Sequence, residues 1–510
     1  MDSESLARLL QDFLSGSRDA VVLEDGGVIF DLSQAKYSVA AEYGKCLLQF
    51  WSAERNAVRR VVEAEVKNDV LKLLVQRLGQ ARPSKLEICR ERDRRTPSER
   101  HSARALYRRR LQRVLERTFP EWRLAHLSSA MDLERSFGPI YARGLLTKGR
   151  SAFALLGVNQ EETQASIDAA LTFGILWLDN CRQSQSGKTV VEGLQLLVPR
   201  GHAALARARM ARLDAHAAKW RLYEFNQRED SLVETDCTDR GNIATRLVHC
   251  PDEVAARERF AGPIAQIRAL IPEAEAVVLS GAEIAFRLYG LEFARARLAH
   301  ETGSFRSMQE IVFGLGPEER VLDERNAAEF TRLVHSAGEV RHADGPRDHP
   351  LFRMHPERWL ESLVMRNVGD LDERLDPSCL YSQVPAFSAS DRAMIDVLTA
   401  TREGRLAVVE LKADEDIHLP LQGLDYWSRV QWHQARGEFQ RFGYCPGREL
   451  SAEAPLLFLV APALHVHPAT DTLLHYVSPE IDWTLIGIDE RWRHGVRSVF
   501  RKRVKTLAVA

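Results

Sequence analysis

Residues 393–430 read AMIDVLTATREGRLAVVELKADEDIHLPLQGLDYWSRV, and this stretch decides the fold expected for the last third of the chain. Ile395 to Thr401 and Arg405 to Leu411 are rich in Val, Leu and Ile, with the polar Arg402-Glu403-Gly404 between them, so the segment reads as a β-hairpin. Side chains alternate across a strand, which puts Val408, Glu410 and Lys412 on one face and Ala407, Val409 and Leu411 on the other. A helix is expected from Pro420 to about Gln440, with Gln422 and Tyr426 one turn apart on one face.

That spacing suits metal-assisted chemistry on a phosphodiester. If Asp396 sits across the ladder from Glu410, two carboxylates converge on one hard divalent cation, which prefers oxygen ligands and keeps positions for water and a substrate phosphate. Mg2+ or Mn2+ fits such a site, and zinc does not. The ion would polarise the phosphoryl oxygen and acidify a water, while the Lys412 ammonium orients that water or offsets charge in the transition state. Glu-x-Lys alone says little in a chain with 71 acids and 70 Lys plus Arg. The combination of strand, preceding acid and following helix carries the reading. Asp391 competes with Asp396 but sits in a Ser-rich approach and reads as a turn residue. Asp414, Glu415 and Asp416 read as a charge run capping the next loop. His465 and His467 are set aside as metal ligands because no acid partner is evident near them in sequence.

IDVLTATREGRLAVVELKA followed by LQGLDYW resembles the PD-(D/E)xK nuclease superfamily, in particular the RecB-like branch with its Gln-x-x-x-Tyr helix, and is most similar to the nuclease domain of NucS-type endonucleases. The resemblance implies a restriction-endonuclease-like α/β/α domain over 349–510 and a Mg2+- or Mn2+-dependent endonuclease acting on DNA. It also implies an upstream helix that adds a glutamate. HPERWLESLVMRNV (355–368) has that look, with Pro356 in its first turn, and Glu361 is the residue carried over, Glu357 lying one turn away. The implied metal set is Asp396, Glu410, Glu361 and Leu411. The implied catalytic set is Asp396, Glu410, Lys412 and Glu361, with Gln422 and Tyr426 supporting the metal or the scissile nucleotide.

The chain is expected to be a multidomain α/β protein, since 510 residues exceed one typical domain. Residues 1–95 read as a small β-rich domain with hairpins at VVLEDGGVIFDL (21–32) and VVEAEVKNDVLKLLVQRL (61–78). Residues 96–229 read as a basic helix plus an α/β domain. Residues 230–348 read as a mostly helical connection, with AEIAFRLYGLEFARARLAH (282–300) and NAAEFTRLVHSAGEV (326–340) as its periodic segments. In 349–510, APLLFLVAPAL (454–464) and DWTLIGIDE (482–490) read as strands around a short helix at Thr470 to Val477.

Net charge is −1, so a nucleic-acid surface must be a local patch rather than a bulk field. The strongest patch is Glu91 to Arg117, with ten arginines against four acids, where Arg104, Arg108 and Arg109 are the candidate phosphate contacts on a helix packed through Tyr107, Leu111, Val114 and Leu115. The other expectation for this face is a solvated surface paired with acids elsewhere. Seven cysteines without C-x-x-C spacing argue against a zinc module or a disulfide framework and for a cytoplasmic compartment. No apolar run is long enough to span a membrane, and MDSESLARLLQDFLSG lacks the features of a secretory leader. A double-strand break needs two sites, which makes a homodimer plausible.

One internal likeness stands out. LLTKGRSAFALLGV (145–158) resembles TATREGRLAVVELK (399–412), and a shift of 255 residues pairs Gly149 with Gly404 and Arg150 with Arg405. DAALTFGILWLDNCR (168–182) resembles the Gln-x-x-x-Tyr helix. On that register Tyr141 stands for Asp396, Leu155 for Glu410 and Gly157 for Lys412, so an inactivated nuclease-like domain is expected here, the alternative being coincidence among short strands. Ser186-Gly187-Lys188-Thr189 is not read as a phosphate loop, because Arg182 occupies the place of its first glycine. Two other functions stay open at this level: a non-catalytic nucleic-acid-binding or scaffold protein with a nuclease-like fold, and a nuclease directed at RNA.

Overall fold

Alternating apolar residues build the first unit, Met1–Arg100 with Val312–Leu322, around an antiparallel sheet. The structure is a computed structural model. It describes the chain apart from residues 1–2, 16, 18–19, 25–26, 33–34, 43–44, 52–55, 68–69, 78–82, 91–96, 133–136, 185–188, 241–242, 244, 301–306, 316–318, 388–393 and 504–510. Seven strands run in the order Gly27–Asp31, Val21–Glu24, Ser84–Cys89, Val70–Arg77, Asn56–Lys67, Lys45–Trp51, Lys36–Glu42. Val21–Glu24 pairs with Gly27–Asp31, and Asn56–Lys67 with Val70–Arg77, as two hairpins whose turn residues 25–26 and 68–69 lie outside the described residues. The amphipathic helix Ser3–Ser15 lays Leu6, Leu10, Phe13 and Leu14 on this sheet, against Leu48, Phe50 and Leu71.

The second unit, His101–Ile311 with Asp323–Ala510, contains one plan built twice. In chain order its first half runs α1 (Pro97–Thr118, in this unit from His101), β1 (Arg123–Ser128), β2 (Tyr141–Lys148), β3 (Ser151–Val158), α2 (Ala170–Ser184), β4 (Val190–Pro199), α3 (Ala203–Met210), β5 (Lys219–Asn226) and β6 (Ser231–Thr235). Neighbours in the sheet follow the order β6-β5-β4-β3-β2-β1. The connecting region then supplies an antiparallel meander, β7 (Glu275–Ser280), β8 (Glu283–Leu288) and β9 (Leu291–His300), and a helix Ala327–Val340. The second half runs α4 (Pro356–Arg366), β10 (Leu375–Phe387), β11 (Met394–Thr401), β12 (Leu406–Leu411), α5 (Leu419–Gln434), β13 (Leu456–Pro462), α6 (Thr470–His475), β14 (Trp483–Ile488) and β15 (Ser498–Arg503). Its sheet order is β10-β11-β12-β13-β14-β15, with the two-residue strand Arg246–Leu247 outside β10.

Both halves thus share strand order and strand sense. The first strand and the hairpin are antiparallel, the third, fourth and fifth strands are parallel, and the sixth is antiparallel. Parallel neighbours need a crossover, which is why α2 and α5 follow the hairpins and α3 and α6 follow the fourth strands. The other face of each sheet is covered by the helix that opens the half. Tyr107, Leu111, Val114 and Leu115 of α1 pack with Ala142, Leu146 and Leu155, while Trp359, Leu360 and Val364 of α4 pack with Val397, Ala407 and Val409. Central strands covered on both faces read as continuous apolar runs, as SAFALLGV and LLFLVAP do.

Residues 282–300 correct the sequence reading. They form the β8–β9 hairpin rather than a helix, turning through Tyr289 and Gly290, both at positive φ (45° and 73°), with Leu288 opposite Leu291. Two-residue hairpins with both central residues at positive φ match the twist of their strands. Charges along these strands pair within the sheet, as Arg297 does with Glu310 at 2.6 Å and Arg287 with Glu292 at 3.3 Å. One further feature lies outside what spacing can reveal. Cys379 on β10 is bonded to Cys445, 66 residues on. Among the described residues no helix is long and apolar enough to cross a membrane.

Candidate active site

Strand pairing brings the acids together. In the β11–β12 ladder Val397 faces Val409, so Asp396 and Glu410 come next opposite each other. The Leu411 main-chain N–H donates to Asp396 Oδ2 at 3.1 Å, which ties that carboxylate to the end of β12. Glu410 and Lys412 project to one side, and Lys412 Nζ lies 3.2 Å from Glu410 Oε1 and 3.7 Å from Glu357 Oε1. The site stands at the carboxyl ends of the parallel strands β12, β13 and β14, where open α/β sheets hold their ligands.

Helix α4 delivers the remaining acids. Glu361 is buried, takes a hydrogen bond from Arg358 Nη1 at 3.0 Å, and is joined to Asp396 through one side chain the sequence reading missed. Gln383 Nε2 donates to Glu361 Oε2 at 2.6 Å and to Asp396 Oδ1 at 3.4 Å. Its backbone is in the left-handed region at φ 52°, a conformation of some cost for a non-glycine residue that clusters at working sites. No motif marks Gln383, and β10 itself was not anticipated because Pro377 and Pro385 interrupt its strand pattern. The only sequence signal is position, two strands from Glu410.

The placement of α4 rests on a buried cation without an acid. Arg341 is fully enclosed and donates to the carbonyls of Leu288, Tyr289, Leu351, Met354 and His355, with its guanidinium 4.6 Å from the Trp359 ring centroid. Gly290 abuts the same helix so closely that a Cβ there would lie 2.0 Å from the Arg358 carbonyl oxygen.

Charge at the site is unbalanced. Four carboxylates, Glu357, Glu361, Asp396 and Glu410, face Lys412 and Arg358, with Arg287 also acting on Glu361, so acids outnumber bases. Burial raises every one of these acids: Glu410 well above the usual range, with Asp396 adding to it; Asp396 less; and Glu361 up to about 7 against the pull of Arg358. Burial alone would lower Lys412, but Glu410, Glu357 and Asp396 hold its ammonium in the charged form. Burial and then the Glu410 and Asp396 charges raise the Tyr426 hydroxyl.

Among the described residues, Glu410 Oε2, Gln383 Oε1 and Gln422 Oε1 are buried without a hydrogen-bond partner. Unpaired buried acceptors carry a cost unless a cation or ordered water meets them. Among the described residues no three His, Cys, Asp or Glu side chains converge tightly enough to hold an ion alone. The donor set is instead Asp396 and Glu410 with nearby oxygens, which suits a hard cation that retains water. Beside Glu361 and Gln383 lies a cavity of about 410 Å3, lined also by Arg257, Arg287, Arg358 and Met394.

Asp391 and residues 186–188 lie outside the described residues. His465 and His467 do have acids nearby, contrary to the sequence reading: Asp414 at 3.9 Å and Glu490 at 3.6 Å for His465, and Glu415 at 3.8 Å for His467. The loops after β12, β13 and β14 meet there, a contact sequence separation hides. Arg104 is occupied by a bidentate pair with the largely buried Glu162, at 2.6 and 2.8 Å, so it is a packing group rather than a free phosphate contact. Arg108 is half-buried and Arg109 exposed.

The first half of the unit lacks this chemistry. A Cβ at Gly174 on α2 would press on Leu194 and Leu196, and one at Gly423 on α5 would press on Leu457 and Leu459, which sets the two halves in register. The parallel and antiparallel pairings then match Leu156 to Glu410 and Arg143 to Asp396. Val158 stands for Lys412, Phe173 for Gln422 and Trp177 for Tyr426. The 255-residue shift is therefore wrong by one residue on β3 and two on β2. Leu155 and Gly157 face α1, a Cβ at Gly157 meeting the Tyr107 hydroxyl at 2.6 Å, and a slip of one residue turns a strand over. The place of the acids is filled by the buried Arg143, whose guanidinium lies 4.8 Å from the Phe137 and 5.7 Å from the Trp177 ring centroid. No protein-family model matches the chain, and no curated protein or solved structure matches it.

Proposed function

We propose that this chain is a divalent-metal-dependent DNA endonuclease of the PD-(D/E)xK superfamily, RecB-like branch, with 349–510 as its restriction-endonuclease-like α/β/α nuclease domain. The observation that carries the reading is the buried cluster of Asp396, Glu410, Glu361 and Lys412, richer in acids than in bases and with the Glu410 Oε2 acceptor unpaired. Mg2+ or Mn2+ bound there supplies Lewis acidity toward a phosphodiester oxygen and a water.

The chain's own groups do the rest. Asp396 and Glu410 offer oxygens from adjacent strands, and the hydrogen bond from Leu411 holds Asp396 in place. Lys412 keeps its proton and sets a positive charge beside Glu410, where it steadies the nucleophile and the charge that develops on phosphate. Gln383 and Arg358 orient Glu361, while Gln422 and Tyr426 close the site from α5. The half containing Arg143, Leu156, Val158, Phe173 and Trp177 is a nuclease-like copy that has lost its ligands. Residues 1–95 are a small β domain.

Retention of the whole Asp, Glu and Lys set counts against a purely binding role. The deciding assay presents purified protein with single-stranded, duplex, mismatched and branched DNA, and with RNA, in Mg2+ or Mn2+. Metal-dependent cleavage of DNA, abolished in Asp396→Ala and Lys412→Ala, is the expected result. A wild-type protein inert on every substrate would remove the proposal.

A further inference from the structure

We infer that the ligand-free half takes the place of a second subunit, so that one chain is a closed pair with a single live site and cuts one strand of a duplex per encounter. The strand count rests on the nuclease reading above; the pairing does not.

The two halves meet as the protomers of a symmetric dimer meet. Helix α2 packs on α6 and, reciprocally, its counterpart α5 packs on α3, the counterpart of α6. At the centre Leu213 and Val477, residues that follow α3 and α6, form an antiparallel bridge. Its two arms are matched: Asp214 N–H donates to the Tyr476 carbonyl at 2.9 Å, and Ser478 N–H donates to the Arg212 carbonyl at 2.9 Å. Polar contacts join the same elements without repeating residue for residue. Arg209 of α3 pairs with Asp425 of α5 at 2.7 Å, and Arg182 of α2 donates to the Tyr476 hydroxyl, just past α6, at 3.1 Å. An interface in which i meets j and the equivalent of j meets the equivalent of i is isologous.

This contact is a core rather than a touching surface. Leu171, Ile175 and Leu178 of α2, Leu421, Leu424 and Trp427 of α5, and Leu473 and Leu474 of α6 belong to one continuous buried cluster. Obligate dimer interfaces have that character. The face that α5 and α6 would offer to a second copy is therefore already covered from within the chain. Two live sites are needed to cut both strands in one encounter, and the internal partner brings Arg143 and Leu156 where the live half brings Asp396 and Glu410.

The experiment uses the full-length protein in two measurements. Sedimentation velocity, with and without a short duplex, should show the mass of a single chain. A supercoiled plasmid in Mg2+ or Mn2+ should give open circles at a rate proportional to protein concentration, with linear product appearing only after a lag, from second and unrelated nicks. A two-chain species assembling on DNA, or linear product formed from the start alongside open circles, would overturn the inference. If wild type and Asp396→Ala alike leave the plasmid supercoiled, the nuclease reading fails, and the mass alone decides the pairing: one chain supports it and two chains refute it.

Discussion

Replacing Glu361 by Gln should make the metal-free protein more stable at alkaline pH, an unusual outcome for a buried, hydrogen-bonded residue. The Glu361 side chain is 6% exposed, and burial lifts its carboxyl from the usual 4.5 to about 7 despite Arg358. An acid raised in the folded state binds more protons there than in the unfolded chain between those two pH values. Stability therefore falls as pH climbs through that window, and the penalty is complete above pH 7. At about 1.4 kcal/mol per pH unit the full penalty is about 3 kcal/mol. Gln keeps an oxygen for Arg358 and Gln383 but carries no charge. In chelator, urea unfolding should thus find Glu361→Gln more stable than wild type by about 2–3 kcal/mol at pH 8, with the difference shrinking to under about 1 kcal/mol at pH 5. Saturating Mn2+ should close most of that gap, because an ion at a hundred times its Kd adds about 2.7 kcal/mol to a protein that binds it. An equal difference at both pH values, or equal Mn2+ stabilisation of both proteins, would refute the reasoning.

Three other substitutions probe separate parts of the account. Arg341→Ala strands five buried carbonyls around the start of α4 and should cost at least about 3 kcal/mol in urea unfolding, with loss of cleavage as Glu361 loses its support. Arg209→Ala leaves Asp425 enclosed without its partner, an expected loss of about 3–5 kcal/mol, whereas Arg209→Met with Asp425→Leu should recover most of it; equal losses in both would mean the charge is immaterial. Arg108→Gln with Arg109→Gln should weaken duplex binding and lower the slope of log affinity against log salt by about 2, while Arg104→Gln should lower stability through its broken pair with Glu162.

Local pattern made the second half of the large unit legible. The β11–β12 hairpin, α4, α5 and the strands β13 and β14 follow from apolar period and turn chemistry, and Asp396, Glu410, Lys412 and Glu361 do lie together. What depends on long-range pairing was not legible. Gln383 reaches the site from a strand crossed by prolines, and the Cys379–Cys445 bond spans 66 residues. His465 gains acid neighbours only because three loops meet at the sheet's edge. Residues 282–300 deceived because their charges and apolar groups suit a helix face as well as a ladder, and Gly290 at a two-residue turn decides between the two. The internal repeat was visible in outline, but its register was not. A sequence shift cannot tell which face of β3 a residue occupies, whereas the packing of Gly174 and Gly423 on the neighbouring strand can.

The most direct test of the metal site is a Mn2+ titration of the full-length protein at pH 8 without DNA, followed by electron paramagnetic resonance of the free ion. Wild type should bind Mn2+ at a site abolished in Asp396→Asn and Glu410→Gln but kept in Lys412→Met. Failure of wild type to bind Mn2+, or undiminished binding in both carboxylate variants, would contradict the account.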